Sequence, residues 1–177
     1  MFIKEKYNKI VVPEMRKKFG YKNNFAVPKI EKVIISTGIG SLKDEVKKEA
    51  IEISLSKIAG QKPRSNPAKK SIASFKLRQG ETIGYSVTLR NKRMYDFLQK
   101  LINIALPRIR DFRGLNSKSI DEAGNFSIGF KEHIAFPEVS NEDIRSAFGL
   151  NVTIVTSAKR KEEAIELLRL IGIPFKI

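Results

Sequence analysis

A chain of 177 residues with 41% hydrophobic side chains is long enough for one compact core, and its lack of cysteine excludes a disulfide framework, a thiolate metal site and a cysteine nucleophile. The formal net charge of +15 at pH 7 sets up a field that favours polyanions and repels other basic proteins. No run approaches the roughly 18 apolar residues of a membrane span, and the first residues mix Lys4, Glu5, Lys6 and Lys9 with apolar positions, so a cytoplasmic protein with no signal segment and no membrane partner is expected.

Ile3, Tyr7, Val11, Met15 and Phe19 recur four apart, which is helical spacing. Pro13 interrupts them and is tolerated only in a first turn, so the pattern predicts a short N-terminal turn and then a helix from about Pro13. Residues 27–39 are rich in β-branched side chains and end in Gly38 and Gly40, which predicts a strand. The next helix is expected to start on a capping box of Ser41 and Asp44, to bury Val46, Ala50, Ile53 and residues 55–58, and to end at Gly60.

Periodicity then vanishes over residues 61–80, which hold Pro63, Pro67 and many cations; a long basic loop, about 64–80, is predicted. Loops of this length inside compact domains are usually functional or disordered. Residues 82–90 alternate cleanly, with Ile83, Tyr85, Val87 and Leu89 on one face, and read as a strand. Met94, Phe97, Leu98, Leu101, Ile102 and Ala105 predict a helix capped by Asn91 and stopped at Pro107. Phe126, Ile128 and Phe130, then Leu150, Val152 and Ile154, alternate with polar residues as strands, and Ala164, Leu167, Leu168 and Ile171 form a last helix closed by Gly172 and Pro174. Strands mixed with helices without a repeating strand-helix unit predict a single α+β domain, 1–177, with an antiparallel twisted sheet and helices packed on one face.

The charge is unevenly spread. Residues 1–52 carry a net +5, residues 53–118 a net +12 and residues 119–177 a net −2, and no acid occurs from Ile53 to Gly80. The three clearest strands set Thr, Ser, Gly and Asn opposite the core, with an occasional Arg or Lys. Small hydroxyl and glycine residues leave a flat surface that a sugar-phosphate backbone can approach, although an ordinary solvated sheet face has the same composition. The basic middle third favours RNA. Tyr85, Phe126 and Phe130 lie in the core register and are not stacking platforms; Phe75, in the loop, either stacks on a base or anchors the loop.

Other signals explain less. Gly38-Ile39-Gly40 lacks the third glycine of a dinucleotide loop, since Lys43 stands there. His133 is the only histidine, which removes a His-pair metal site and a Ser-His relay, and a surface or sheet-edge position is expected for it. The acid pairs Asp121 with Glu122, Glu142 with Asp143, and Glu162 with Glu163 fall in turns or at helix starts, so no enzyme, cofactor or metal is expected.

The ordered motifs Val27-Pro28-Lys29-Ile30-Glu31-Lys32, Gly60-Gln61-Lys62-Pro63, Lys70-Ser71-Ile72-Ala73-Ser74-Phe75-Lys76-Leu77-Arg78-Gln79-Gly80, Ile83-Gly84, Val87-Thr88-Leu89-Arg90, Pro107-Arg108-Ile109-Arg110-Asp111-Phe112-Arg113-Gly114-Leu115, Phe136-Pro137-Glu138 and Gly172-Ile173-Pro174-Phe175-Lys176 run nearly end to end. With them the chain resembles the large-subunit ribosomal protein five family, the bacterial-type 5S rRNA-binding proteins of the central protuberance. The resemblance implies a concave sheet face that grips 5S rRNA through Ser36, Gly38, Gln61, Lys62, Arg64, Thr88 and Arg90. It implies that Lys69, Lys70, Ser71, Phe75, Lys76 and Arg78 reach the P-site tRNA, and that residues 132–146, with the acids Glu138, Glu142 and Asp143, form an intersubunit bridge to a basic small-subunit head protein. It further implies contacts with 23S rRNA and neighbouring central-protuberance proteins, and a monomer off the ribosome. One departure is visible: the first strand of the family commonly ends in Asn-Met-Gly, where this chain has Ser36-Thr37-Gly38, and a hydroxyl cannot reproduce a two-sided amide contact.

Overall fold

The computed structural model describes residues 2–139 and 147–176. The described elements run α1 (Ile3–Lys6), a π-helical turn (Tyr7–Val11), α2 (Val12–Phe19), β1 (Ile30–Gly38), α3 (Glu45–Ala59), β2 (Arg64–Pro67), β3 (Thr82–Leu89), α4 (Asn91–Lys100) with a second π-helical turn (Leu101–Ala105), β4 (Phe126–Phe130), β5 (Leu150–Thr156) and α5 (Lys161–Ile171). The strands form one antiparallel sheet in the order β2-β3-β1-β5-β4, and the fold is α+β as the sequence predicts. Hydrogen bonds at both ends of the β1/β5 pair fix its register: Ser157 N donates to Lys29 O at 2.9 Å, and Thr37 Oγ1 donates to Gly149 O at 2.7 Å. No helix among the described residues is long and apolar enough to cross a membrane.

The chain groups into two compact units. The first comprises Met1–Val33, Leu89–Ile128 and Thr153–Ile177, and the second comprises Ile34–Thr88 and Gly129–Val152. In the first, α1 lies against α4 and α2 against α5. Met15, Leu89, Leu98, Leu101, Phe126 and Leu168 are sealed from solvent there. Lys6 Nζ donates to the Ile171 carbonyl at 2.8 Å, which places a cation on the negative end of α5. Glu163 in the first turn of α5 is buried and accepts from Arg160 at 2.7 Å. Burial alone would raise its carboxyl, but the Arg160 guanidinium prevails and holds it below the ordinary value of 4.5. The stretch after α4 is tied to the end of the chain, since Leu115 N donates to Pro174 O and Lys176 N to Leu115 O, both at 2.8 Å.

The second unit buries Ile35, Leu55, Ile58, Val87, Phe136 and Val152. Here α3 begins on Asp44, whose carboxylate accepts from Val46 N at 3.1 Å, and ends on Gly60 with φ of 65°, a left-handed turn that glycine adopts without strain.

Several local expectations change. The cap of α3 is Asp44 and not Ser41, and Val46 and Ile53 are 74% and 57% exposed, because the buried stripe runs through Ile51, Leu55 and Ile58. The N-terminal segment is helical throughout, with no break at Pro13: the π turn of residues 7–11 opens the hydrogen-bond ladder just before the proline, whose ring and missing N–H would disrupt a regular α-helix. Asn91 does not cap α4; it is the first helical residue, at φ of 50°, and Arg90 occupies the cap position. His133 is fully buried, with its ring stacked 4.1 Å from that of Phe148 and Nδ1 accepting from Phe148 N at 3.3 Å.

Candidate nucleic-acid interface

Strand alternation decides which side chains line the non-core side of the sheet. In β3, Tyr85, Val87 and Leu89 are buried while Thr82, Ser86 and Thr88 keep partial exposure; in β1, Val33, Ile35 and Thr37 are buried while Ser36 is half-exposed and Gly38 exposed. Within the second unit this side therefore presents Ser36, Gly38, Thr82, Ser86, Thr88, Asn151 and Gly129, with the partly exposed Ile34 in the same register of β1. In the first unit, Ser127 and Thr153 hold the same register and their hydroxyls meet at 3.1 Å. None of these side chains is long or acidic.

The glycines on this side differ in purpose. A Cβ on Gly38 would meet nothing within 4 Å, so its absence leaves open surface. A Cβ on Gly84 would stand 2.7 Å from the Thr37 carbonyl, so Gly84 is required by the approach of β1 to β3.

Strand β2 adds an edge that sequence periodicity does not reveal. It pairs antiparallel with β3, Arg64 opposite Ser86 and Asn66 opposite Gly84, with a register shift between Asn66 and Pro67. Asn66 Oδ1 accepts from Ser86 Oγ at 3.3 Å, and Arg64 is exposed at the start of the strand. Lys62 is exposed, Gln61 is half-buried just beyond the α3 cap, and Arg90 is exposed where β3 gives way to α4. Ser36, Gly38, Lys62, Arg64 and Thr88 thus belong to one unit and reach solvent; Arg90 belongs to the other.

The segment beyond β2 is an ordered hairpin. Ala68 N donates to Glu81 O at 2.8 Å and Gly80 N to Ala68 O at 3.0 Å, closing its base; Ile72 and Leu77 exchange backbone bonds at 3.1 and 3.2 Å nearer the tip. Ser71 Oγ accepts from Gln79 N at 2.9 Å, so this hydroxyl braces the hairpin from within. Lys69, Lys70, Lys76 and Arg78 are exposed, and Phe75 is 71% exposed, which shows that it does not anchor the loop.

An ion-pair cluster in the same unit was not legible from sequence spacing. Lys48, on α3, is buried and donates to Glu45 Oε1 at 2.8 Å, with Glu81 Oε1 at 3.7 Å; Glu81 Oε2 accepts from Arg78 N at 3.3 Å. The hydrogen bond to Glu45 raises the Lys48 ammonium above its ordinary value, against the opposing effect of burial. The cluster ties the hairpin base to α3. In the expected bridge region, Glu138 is exposed next to the buried Val139, while Glu142 and Asp143 lie outside the described residues. Among the described residues no group of three or more metal-ligating side chains converges.

Comparison with known proteins agrees with this geometry. A family described as "Ribosomal protein L5" matches residues 23–78, and the family of the C-terminal part of the same ribosomal proteins matches residues 82–175. The chain is 50% identical to the large ribosomal subunit protein uL5 of Halothermothrix orenii, over 97% of this chain and 96% of that one. It is 53% identical to those of Desulforapulum autotrophicum and Dictyoglomus turgidum, each over 98% of both chains. Two family matches that together span most of the chain, and half-identical relatives along its full length, show that it belongs to the uL5 family of non-enzymatic proteins of the cytoplasmic large ribosomal subunit.

Proposed function

We propose that the chain acts as one RNA-binding module that docks 5S rRNA onto the central protuberance, with Ser36, Gly38, Gln61, Lys62, Arg64, Thr88 and Arg90 as its grip. The observation that carries this reading is the non-core side of the sheet, where partly exposed hydroxyls, exposed Gly38 and Gly129 and half-exposed Asn66 are joined by the exposed cations Lys62 and Arg64, and none of the side chains named there is acidic. Such a surface lets a folded RNA backbone approach and accept hydrogen bonds, while the cations bind phosphate. The preformed hairpin carries Lys69, Lys70, Ser71, Phe75, Lys76 and Arg78 toward the P-site tRNA, and the hydrogen bonds at its base reduce the ordering cost of that contact.

In the same reading Glu138, Glu142 and Asp143 face a basic protein of the small-subunit head, an arrangement that suits acids and would repel an RNA backbone. 23S rRNA and neighbouring central-protuberance proteins complete the contacts, and the free protein is a monomer. Recovering the tagged chain from cell extract and sequencing the bound RNA tests the central part. 5S rRNA is expected as the dominant species; a broad mixture of RNAs without it would replace specific docking with a general RNA chaperone activity.

A further inference from the structure

Phe25 is 97% exposed, the most solvent-open large apolar side chain among those described, and it belongs to neither a strand of the sheet nor the 68–81 hairpin. Its backbone is held in place. Asn23 Oδ1 accepts from Phe25 N at 2.9 Å, and Arg16, in the last turn of α2, donates to Tyr21 O at 3.2 Å and to Asn24 Oδ1 at 2.9 Å. The phenyl ring therefore projects from a braced turn.

The surrounding charge identifies the kind of partner. Residues 15–30 contain Arg16, Lys17, Lys18, Lys22 and Lys29 and no acid. Arg16 bonds only neutral carbonyl oxygens, so its charge is not cancelled, and Lys17, Lys22 and Lys29 are exposed without an ion pair among the described residues. A protein pocket for an exposed phenyl group has no need of this cationic surround, whereas an unpaired base bonded into a polyanionic backbone matches both parts.

We propose that Phe25 and its cationic turn form a second RNA-binding site, in which the ring stacks on an unpaired base while Lys17, Lys22 and Lys29 meet the flanking phosphates. The proposal rests on the RNA-binding reading above but places a contact where that reading has none. Because Phe25 buries almost nothing, changing it leaves the fold intact.

The chain contains no tryptophan, so Phe25→Trp introduces a single indole whose emission reports on this position alone. The variant is titrated separately with 5S and 23S rRNA transcripts at low salt, with binding followed in parallel by filter retention. Strong quenching of the indole emission by at least one transcript is expected, with affinity kept in Phe25→Trp and reduced roughly five- to a hundred-fold in Phe25→Ala, the range for loss of one stacked base. Retention of both transcripts without quenching would overturn the second site and leave the sheet-face reading standing. A blue shift seen only on adding large-subunit proteins would assign the ring to a protein pocket and equally overturn it. Absence of retention altogether would sink both readings.

Discussion

Thr88 shows how one hydroxyl on the half-exposed side of β3 tests the interface without disturbing the core, since Val87 and Leu89 on either side carry the packing. Thr88→Ala is expected to weaken 5S rRNA binding by about 1–3 kcal/mol, the cost of leaving a desolvated RNA acceptor unpaired, with an unchanged urea midpoint. Gly84 behaves in the opposite way. The Cβ of Gly84→Ala would press 2.7 Å from Thr37 O, so a loss of stability of about 1–3 kcal/mol is expected, read from the urea midpoint. Gly38→Ala, with nothing within 4 Å, is the control: its stability stays within about 0.5 kcal/mol while RNA affinity falls. Glu163 supplies a pH signature. Its folded carboxyl lies below the ordinary 4.5, so the stability it contributes is complete above that pH and drains away as the pH falls through the lowered folded value. Glu163→Gln should therefore differ from the parent in urea midpoint at pH 7, and the difference should shrink below pH 4.5.

At the scale of elements, the basic segment after α3 holds the most informative structure. Single Lys→Ala changes at Lys62, Lys69 and Lys70 are expected to reduce the slope of log affinity against log salt by about one each where the ammonium meets phosphate; an unchanged slope removes that lysine from the contact. Sequence spacing made β3 legible because its apolar residues alternate without a break, and α5 because its apolar residues recur at helical spacing up to Gly172. It could not reveal β2, a four-residue edge strand of Arg64-Ser65-Asn66-Pro67 with no apolar residue and a proline that an edge position tolerates. Tertiary contacts hid the rest. Lys48 looks like a solvated cation until Glu81, distant in sequence, is folded beside it, and His133 looks exposed until Phe148 stacks on it. Among the candidate site residues, alternation placed Thr88 on the non-core side, composition pointed to the loop cations, Ser36 came only from the family resemblance, and Asn66 carried no signal because its partner Ser86 lies across a strand pair that periodicity does not show.

For the whole molecule, a net charge of +15 favours every polyanion alike, so affinity alone says little. In the proposed reading the charge supplies a salt-dependent attraction shared by all RNAs, and the small-residue sheet side with its rim cations supplies the discrimination. The two contributions separate as salt rises, because counterion release fades while shape and hydroxyl contacts persist. Filter binding of 5S rRNA and of an unrelated duplex of equal length, measured across a series of salt concentrations, is the most direct measurement. The account predicts a preference for 5S rRNA that widens with salt; equal affinities throughout the series would contradict it.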